Sequence, residues 1–484
     1  MSHLQKDFTS TPTNAKKFTF SCWVHKAFKS RTMMMATNTN TSGSDDFQFQ
    51  LRSDNKLGVI DWYSSGVHSN HETNRLILDD SSWYHFVFAG DSTLSTAADR
   101  MKIYVNGVRE TSFSSATNIG QNNDYHWNKE TSGTSNGWKI GQNAGNSNPF
   151  LGYMAHVHNI DGTAYAASDF GETDSTTGEW IPKLTPSVTY GNNGWFIKFE
   201  NAGALGTDSS GNGTTFSLVG DLKQSVSTPS NKFCTLQARQ CYTTEVHVAL
   251  THGMLGWQDA HSTSDGPKGA AGNLASVKGK WYYEMKHVKG MYSTLGISRK
   301  GSLATSKMIN TTYRSPFIQG NNGDGFGFQV GSAATLIQRG DNTEVQWTTD
   351  GSTNITAASD GDIFMCAADL TAGKIWWGRN GTWNTVPGST TATSSSDIAS
   401  GNNAHKTWTP NLNDYYGPAV NTYQRTYGSS GANPNELLLN FGEGRFGTSA
   451  VSSAVADGAG LGAFEYAPPS GFFSWCTKNI KDYG

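Results

Sequence analysis

Met101-Lys102-Ile103-Tyr104-Val105-Asn106-Gly107 is the stretch that sets the fold class. Met101, Ile103 and Val105 alternate with Lys102 and Tyr104, so one face of a strand is apolar, and Asn106-Gly107 can take positive φ at both central residues of a hairpin turn. Upstream, residues 83–89 (WYHFVFA) supply a second apolar run. The whole of 83–110 therefore reads as strand, polar loop, strand and Asn-Gly turn. Residues 361–383 repeat the pattern, with Lys374-Ile375-Trp376-Trp377 ending at Asn380-Gly381. Antiparallel β structure is predicted in both halves of the chain.

At 484 residues the chain exceeds one compact core, and two or three domains are expected. Only 15% of residues are charged, while aromatics reach 12% with 15 Trp and 54 Gly, a composition that favours turns and strands over helices. A net charge of −3 without a Lys/Arg cluster offers no electrostatic footprint for a nucleic-acid backbone. No apolar run approaches the roughly 20 residues that span a bilayer, and Met1-Ser2-His3-Leu4 begins no basic-then-apolar leader. A soluble protein with no membrane insertion and no secretory export is expected. The five cysteines are scattered and odd in number. Cys22 and Cys366 sit inside apolar strand patterns, where a thiol serves as a small core residue, and synthesis in a reducing cytoplasm fits this usage.

Strands are predicted at 18–24, 47–52, 56–62, 83–89, 101–106, 138–141 and 151–160, then at 280–286, 293–298, 325–330, 363–370, 374–378, 417–420 and 437–441. Their irregular spacing is that of two-sheet sandwiches and not of a repeat fold. The expected class is all-β, two antiparallel β-sandwich (jelly-roll-like) domains in tandem. The expected limits are 1–170 for the first sandwich, 171–229 for a connecting segment with one strand packing on a sandwich, and 230–484 for the second. The Asp208-Ser209-Ser210-Gly211-Asn212-Gly213 run reads as flexible, and 448–462, built of small residues, as a mobile surface loop.

Residues 18–24 (FTFSCWV), 83–89 (WYHFVFA), 101–108 (MKIYVNGV) and 152–162 (GYMAHVHNIDG) together resemble a laminin-G-like, concanavalin A-type lectin domain. From Gly279 onward GKWYYEMK, LGIS, GDGFGF, GDIFMCAADLTAGKIWWGRNG and LLLNFG look like a SPRY domain, a bent sandwich used for binding. With FGETDSTTGEWIPK at 170–183 and the closing FEYAPPSGFFSWCTKNI, the lectin-then-SPRY order is similar to a family of structural proteins from phages of aquatic bacteria. The resemblance implies a virion protein without catalytic activity, assembled in the host cytoplasm: a tail-fibre or adhesin component that binds a host-surface glycan. Other virion proteins are its implied partners, and a homotrimer is expected because phage appendages are commonly threefold. A capsid-surface decoration protein is the first alternative and a glycan depolymerase the second. The family often carries one more strand before His3-Leu4, and no stalk or anchoring module precedes this position. Attachment is therefore expected through a sandwich face or a rim of loops.

Concanavalin-type glucanases, by the same resemblance, carry Glu-x-Asp-x-x-Glu on one strand. Here Glu172-Thr173-Asp174 is the nearest approach, with Thr177 in the last place, which opposes an enzyme. Gly133-Thr134-Ser135-Asn136-Gly137 spells a nucleophile elbow without the strand–turn–helix that the motif requires. His156-x-His158 places two imidazoles on one strand face and His68-x-x-His71 falls in a polar loop, yet neither pair gathers a zinc ligand set. No cofactor is expected. Calcium is the one metal considered, at Asp45-Asp46, Asp79-Asp80 or Asp91. The site candidates are aromatics in polar loops: Trp62 and Tyr63, Tyr125 and Trp127 around His126, Trp383, and Tyr415 and Tyr416. Such rings can stack on sugar faces or form subunit contacts. Trp23, Trp281 and Phe441, by contrast, belong to strand patterns and are expected in cores.

Overall fold

The computed structural model describes residues 2–484 except 9, 27–31, 39–45, 64–65, 80–81, 130–136, 144, 176–177, 242–247, 260–267, 291, 300–324, 332–336, 341–342, 347–357 and 424–434. Both diagnostic hairpins form. Tyr84–Asp91 pairs with Met101–Val105, which turns through Asn106 (φ 49°) and Gly107 (φ 82°) into Val108–Arg109. Ile363–Asp369 pairs with Lys374–Arg379, which turns through Asn380 (φ 48°) and Gly381 (φ 81°) into Thr382–Trp383. In each hairpin the turn asparagine docks on the preceding strand. The Oδ1 of Asn106 accepts from the His85 amide at 2.8 Å, and that of Asn380 accepts from the Ile363 amide at 2.8 Å. An aromatic ring also lies over each turn glycine, Trp180 on Gly107 and Tyr466 on Gly381, at distances where a Cβ would collide.

The chain forms two compact units, Met1–Ser230 and Asn231–Gly484. Among the described residues, the first unit has an eight-stranded sheet in the order Phe113–Thr117, Gly66–Leu76, Lys56–Tyr63, Asp46–Leu51, Thr32–Asn38, Trp138–Ile140, His3–Lys6, Ser217–Val219. The facing six-stranded sheet runs Trp195–Ile197, Gly152–Asp161, Lys17–Lys26, Tyr84–Asp91, Met101–Val105, Val108–Arg109. Between the sheets Phe49 lies 4.5 Å from Phe20 and 4.6 Å from Phe88, ring centre to ring centre. The alternation of Phe18, Phe20, Cys22 and Val24 aims these residues into that core.

Residues 171–229 do more than connect. Trp195–Ile197 extends the six-stranded sheet and Ser217–Val219 the eight-stranded one, while Tyr165, Phe170, Trp180 and Tyr190 cover Val87 and Ile160 on the outer face of the six-stranded sheet. That second layer explains why Lys17–Lys26 is buried on both faces almost throughout. His85 is held beneath it, with Trp180 Nε1 donating to its Nδ1 at 3.0 Å and Ser21 Oγ 2.8 Å from its Nε2. The run expected to be flexible is tied down as well. Asp208 accepts from the amides of Phe196, Ser210 and Thr214, each at 2.9 Å.

In the second unit the described residues form a seven-stranded and a nine-stranded sheet. Tyr283 joins them, its hydroxyl contacting the carbonyls of Gly296 and Ala419 at 2.7 and 3.1 Å. Trp281 is buried and stacks on Trp475 at 4.6 Å; Trp23 and Phe441 are core residues too. Cys22 and Cys366 are buried thiols, and burial pushes both pKa values up. The 448–462 stretch, read as a mobile loop, is instead pinned by Asp457, whose carboxylate accepts from the amides of Ala459, Leu461 and Ser474 and from Asn479 Nδ2. No helix among the described residues is long and apolar enough to cross a membrane.

Candidate functional site

The sequence candidates separate by burial. Trp62 is 39% exposed, beside Val67 on the neighbouring strand, and Tyr415 is 55% exposed. Tyr125 and Trp127 are core residues and not loop-tip rings, which corrects the expectation of a sugar platform there. The reason is a buried amide chain. Trp127 Nε1 donates to Asn159 Oδ1 at 2.6 Å, Asn159 Nδ2 donates to Asn128 Oδ1 at 2.8 Å, and Asn193 Nδ2 donates to the Asn128 carbonyl at 2.9 Å. Tyr125 packs edge-on against Phe18, its hydroxyl on the Arg100 carbonyl. Trp383 is likewise buried, donating to Ser395 Oγ at 3.1 Å, and Tyr416 is buried near Trp408 and Phe326.

Two separate sequence candidates do meet. Tyr63 stacks at 3.7 Å on His126, the residue between the two buried aromatics, and the His126 Nδ1 is 2.7 Å from the buried carboxylate of Asp61. His68 lies on a strand and not in a loop. It is an extra residue between the pairs Asp61–Ser69 and Trp62–Val67, and this bulge brings its ring within 4.9 Å of His126. His71 is buried against Phe113 and Asn118. Since Tyr63 gives one face to His126, Trp62 is the most open ring of this rim.

The calcium candidates are engaged locally: Asp91 with Lys17 and Thr93, Asp79 with Ser82, Asp46 with Gln48. Asp45 and Asp80 lie outside the described residues. Among those described, no group of three or more His, Cys, Asp or Glu could hold a metal ion. Glu172 sits on Gly171–Thr173 opposite Ile181, and the amide of Asp174 just beyond that strand donates to the Glu179 carbonyl; Thr177 is outside the described residues. So is 133–136 of the elbow-like motif. In the second unit Ser293 Oγ lies 3.0 Å from His287 Nδ1, and Asp360 is 3.9 Å from Nε2. Ser293 is fully buried within its sheet.

The first unit also contains a cleft of about 560 Å³ that the sequence did not reveal. Its origin is a break in the strand Gly152–Asp161. Ala155 stands opposite Trp23 and His158 opposite Ser21, leaving His156 and Val157 together opposite Cys22, and His156 takes a positive φ of 46°. On the adjoining segment Phe199 also has a positive φ, 62°. Non-glycine residues in this region cost about 1–3 kcal/mol each and persist only where their surroundings enforce them. For Phe199 the enforcing group is Gln224, whose amide donates to the carbonyls of Phe199 and Glu200 at 2.7 and 2.9 Å. Both strained residues line the cleft. Buried Leu4, Ile140, Pro182 and Leu205, with buried Ser227, form its floor, Tyr153, Met154, Phe199 and Leu222 its half-buried walls. Lys198 and Glu200 stand at its mouth, 3.8 Å apart.

His156 Nδ1 is buried with no hydrogen-bond partner among the described residues, and desolvation lowers the pKa of this imidazole. His158 takes a different environment, stacked at 3.8 Å on Phe196 with Nδ1 3.0 Å from the Tyr190 hydroxyl; burial lowers its pKa strongly. The arrangement offers rings, an apolar floor and a few polar groups, which is the composition of a small-ligand site. The paired histidines were legible in the sequence. The bulge and the left-handed Phe199 were not, since neither is a glycine or asparagine.

Residues 4–168 match the family model of the concanavalin A-like lectin/glucanases superfamily, about a third of the chain. No curated protein matches. Among solved structures the chain is similar to a candidate carbohydrate-binding protein from Bacteroides ovatus, with 15% identity and a TM-score of 0.31 over 45% of this chain and 56% of that one. It is also similar to the SPRY domain of human HERC1, with 15% identity and a TM-score of 0.25 over 42% of this chain and 96% of that one. A third is domains LG4-5 of the mouse laminin alpha1 chain, with 10% identity and a TM-score of 0.27 over 91% and 85%. The chain thus spans little more than half the length of the first of these. Fold and family model together define the class, a tandem β-sandwich protein whose first unit has a concanavalin A-like lectin fold.

Proposed function

We propose that the protein binds carbohydrate without catalysis, as a tail-fibre or adhesin component of a bacteriophage virion that engages a host-surface glycan. The observation that carries the reading is the cleft of the first unit, where two strained residues hold an imidazole and a phenyl ring over an apolar floor. Strain retained on both walls of one cleft is typical of ligand clamps. The virion assignment draws on the lectin-then-SPRY order in the sequence, and the non-catalytic assignment on Thr177 standing where the glucanase pattern has its last Glu. A host-cytoplasm assembly route, virion partners and a homotrimer complete the proposal.

Capsid decoration is the second reading, favoured by one observation. Leu151, Leu184, Leu218 and Val226 are exposed, and each lines the cleft or adjoins a residue that does, which suits a lattice contact. Screening the full chain on an array of bacterial surface glycans, together with immunogold labelling of particles, separates the two. Glycan binding with label on tail appendages supports the adhesin; label over the capsid with no glycan bound supports decoration.

A further inference from the structure

We infer that the cleft takes a methyl-bearing sugar, either a 6-deoxyhexose or an N-acetylated hexosamine; the inference rests on the glycan-binding reading above. Among the lining residues Leu4, Ile140 and Leu205 are buried and offer no polar side-chain atom to a hydroxyl group. A hydroxyl group set against these three residues would be desolvated without a side-chain partner among them, Ser227 being the buried hydroxyl elsewhere in the lining, and that penalty exceeds the dispersion attraction of the fit. A methyl group, on C6 or at the end of an acetamide, fills the same space favourably. The walls then suit the remainder of the ring. Tyr153 and Phe199 present aromatic carbon to its C–H face, with the His156 imidazole beside them in the lining. Lys198 and Glu200, loosely paired at 3.8 Å at the mouth, face the solvent-side hydroxyls.

The test compares matched sugars on the full chain by isothermal titration: L-rhamnose against L-mannose, N-acetylglucosamine against N-formylglucosamine, and the host polysaccharide as reference. Each buried methyl is expected to tighten binding roughly fourfold or more. A preference within the first pair identifies a deoxysugar, a preference within the second an acetylated one, and either supports the inference. Leu222→Ser, which makes one apolar wall polar, is expected to shrink the preference while the melting temperature stays near that of the wild type. Equal affinity within both pairs overturns the inference and leaves the glycan reading standing if the polysaccharide binds. No binding of polysaccharide or of any of the four sugars overturns both. A preference that survives in folded Leu222→Ser protein removes the cleft as its source.

Discussion

Trp127 shows how strongly one polar contact can decide a residue's role. Placed among Asn122, Asn123, Asp124 and Asn128, it reads as a loop-tip ring, yet Asn159 accepts its indole proton within the core. Trp127→Ala would remove a ring stacked at 4.6 Å on Trp138 and strand the amide chain behind it. A loss of about 3–5 kcal/mol in unfolding free energy is expected, readable in urea melts of the variant. A loss below about 1 kcal/mol would mean that the ring is not part of the core. Trp281→Ala should cost a similar amount in the second unit, since that ring is also fully buried.

Among the elements, the two Asn-Gly hairpins are independent copies of one solution. In each, the asparagine combines a left-handed backbone with a side-chain bond to the first strand, so Asn106→Gly keeps the turn and deletes that bond, while Asn380→Gly also deletes the bond from Asn380 Nδ2 to Asp362 Oδ1. Each substitution is expected to destabilise its own unit by roughly 1–2 kcal/mol, because a strand amide loses its partner. Melts in which neither unit weakens would show that the strand pairing alone fixes the hairpin. These hairpins were legible because alternation and turn chemistry coincide in seven residues. Gly66–Leu76 was not, because the residues it buries are polar: Ser69, His71 and Thr73. The cleft escaped for a related reason. Period-two reading assumes an unbroken ladder, and the extra residue opposite Cys22 shifts the phase within Gly152–Asp161.

Across the whole molecule the buried titratable groups divide unevenly. Burial lowers His85 to about 3 in the first unit and lowers His71, His156 and His158 as well. A folded-state pKa below the ordinary 6.5 means that the unfolded chain binds more protons, so this stability is present above pH 6.5 and is lost as pH falls toward 3. The second unit has a countervailing group. Glu284 is raised by desolvation to about 7 despite accepting from the amides of Glu465 and Tyr466, so its contribution is full below pH 4.5 and is lost as pH rises through 7. His405, lowered by burial to about 3, opposes it between about pH 4.5 and 6.5. Calorimetry should therefore show the first unit's transition falling more steeply than the second's between about pH 7 and 5. Parallel shifts would contradict the assignment of these burials.

The functional reading stands or falls on carbohydrate entering the cleft, and Phe199→Gly probes that step. Glycine adopts a φ of 62° without strain, which offsets the lost packing of a half-buried ring, so the fold is expected to survive while one wall of the cleft disappears. The measurement is the Kd of full-length wild-type and Phe199→Gly protein for host polysaccharide by isothermal titration, with melting temperatures taken alongside. At least a tenfold loss of affinity at a nearly unchanged melting temperature is expected. An unchanged Kd in a folded variant would contradict carbohydrate binding in this cleft.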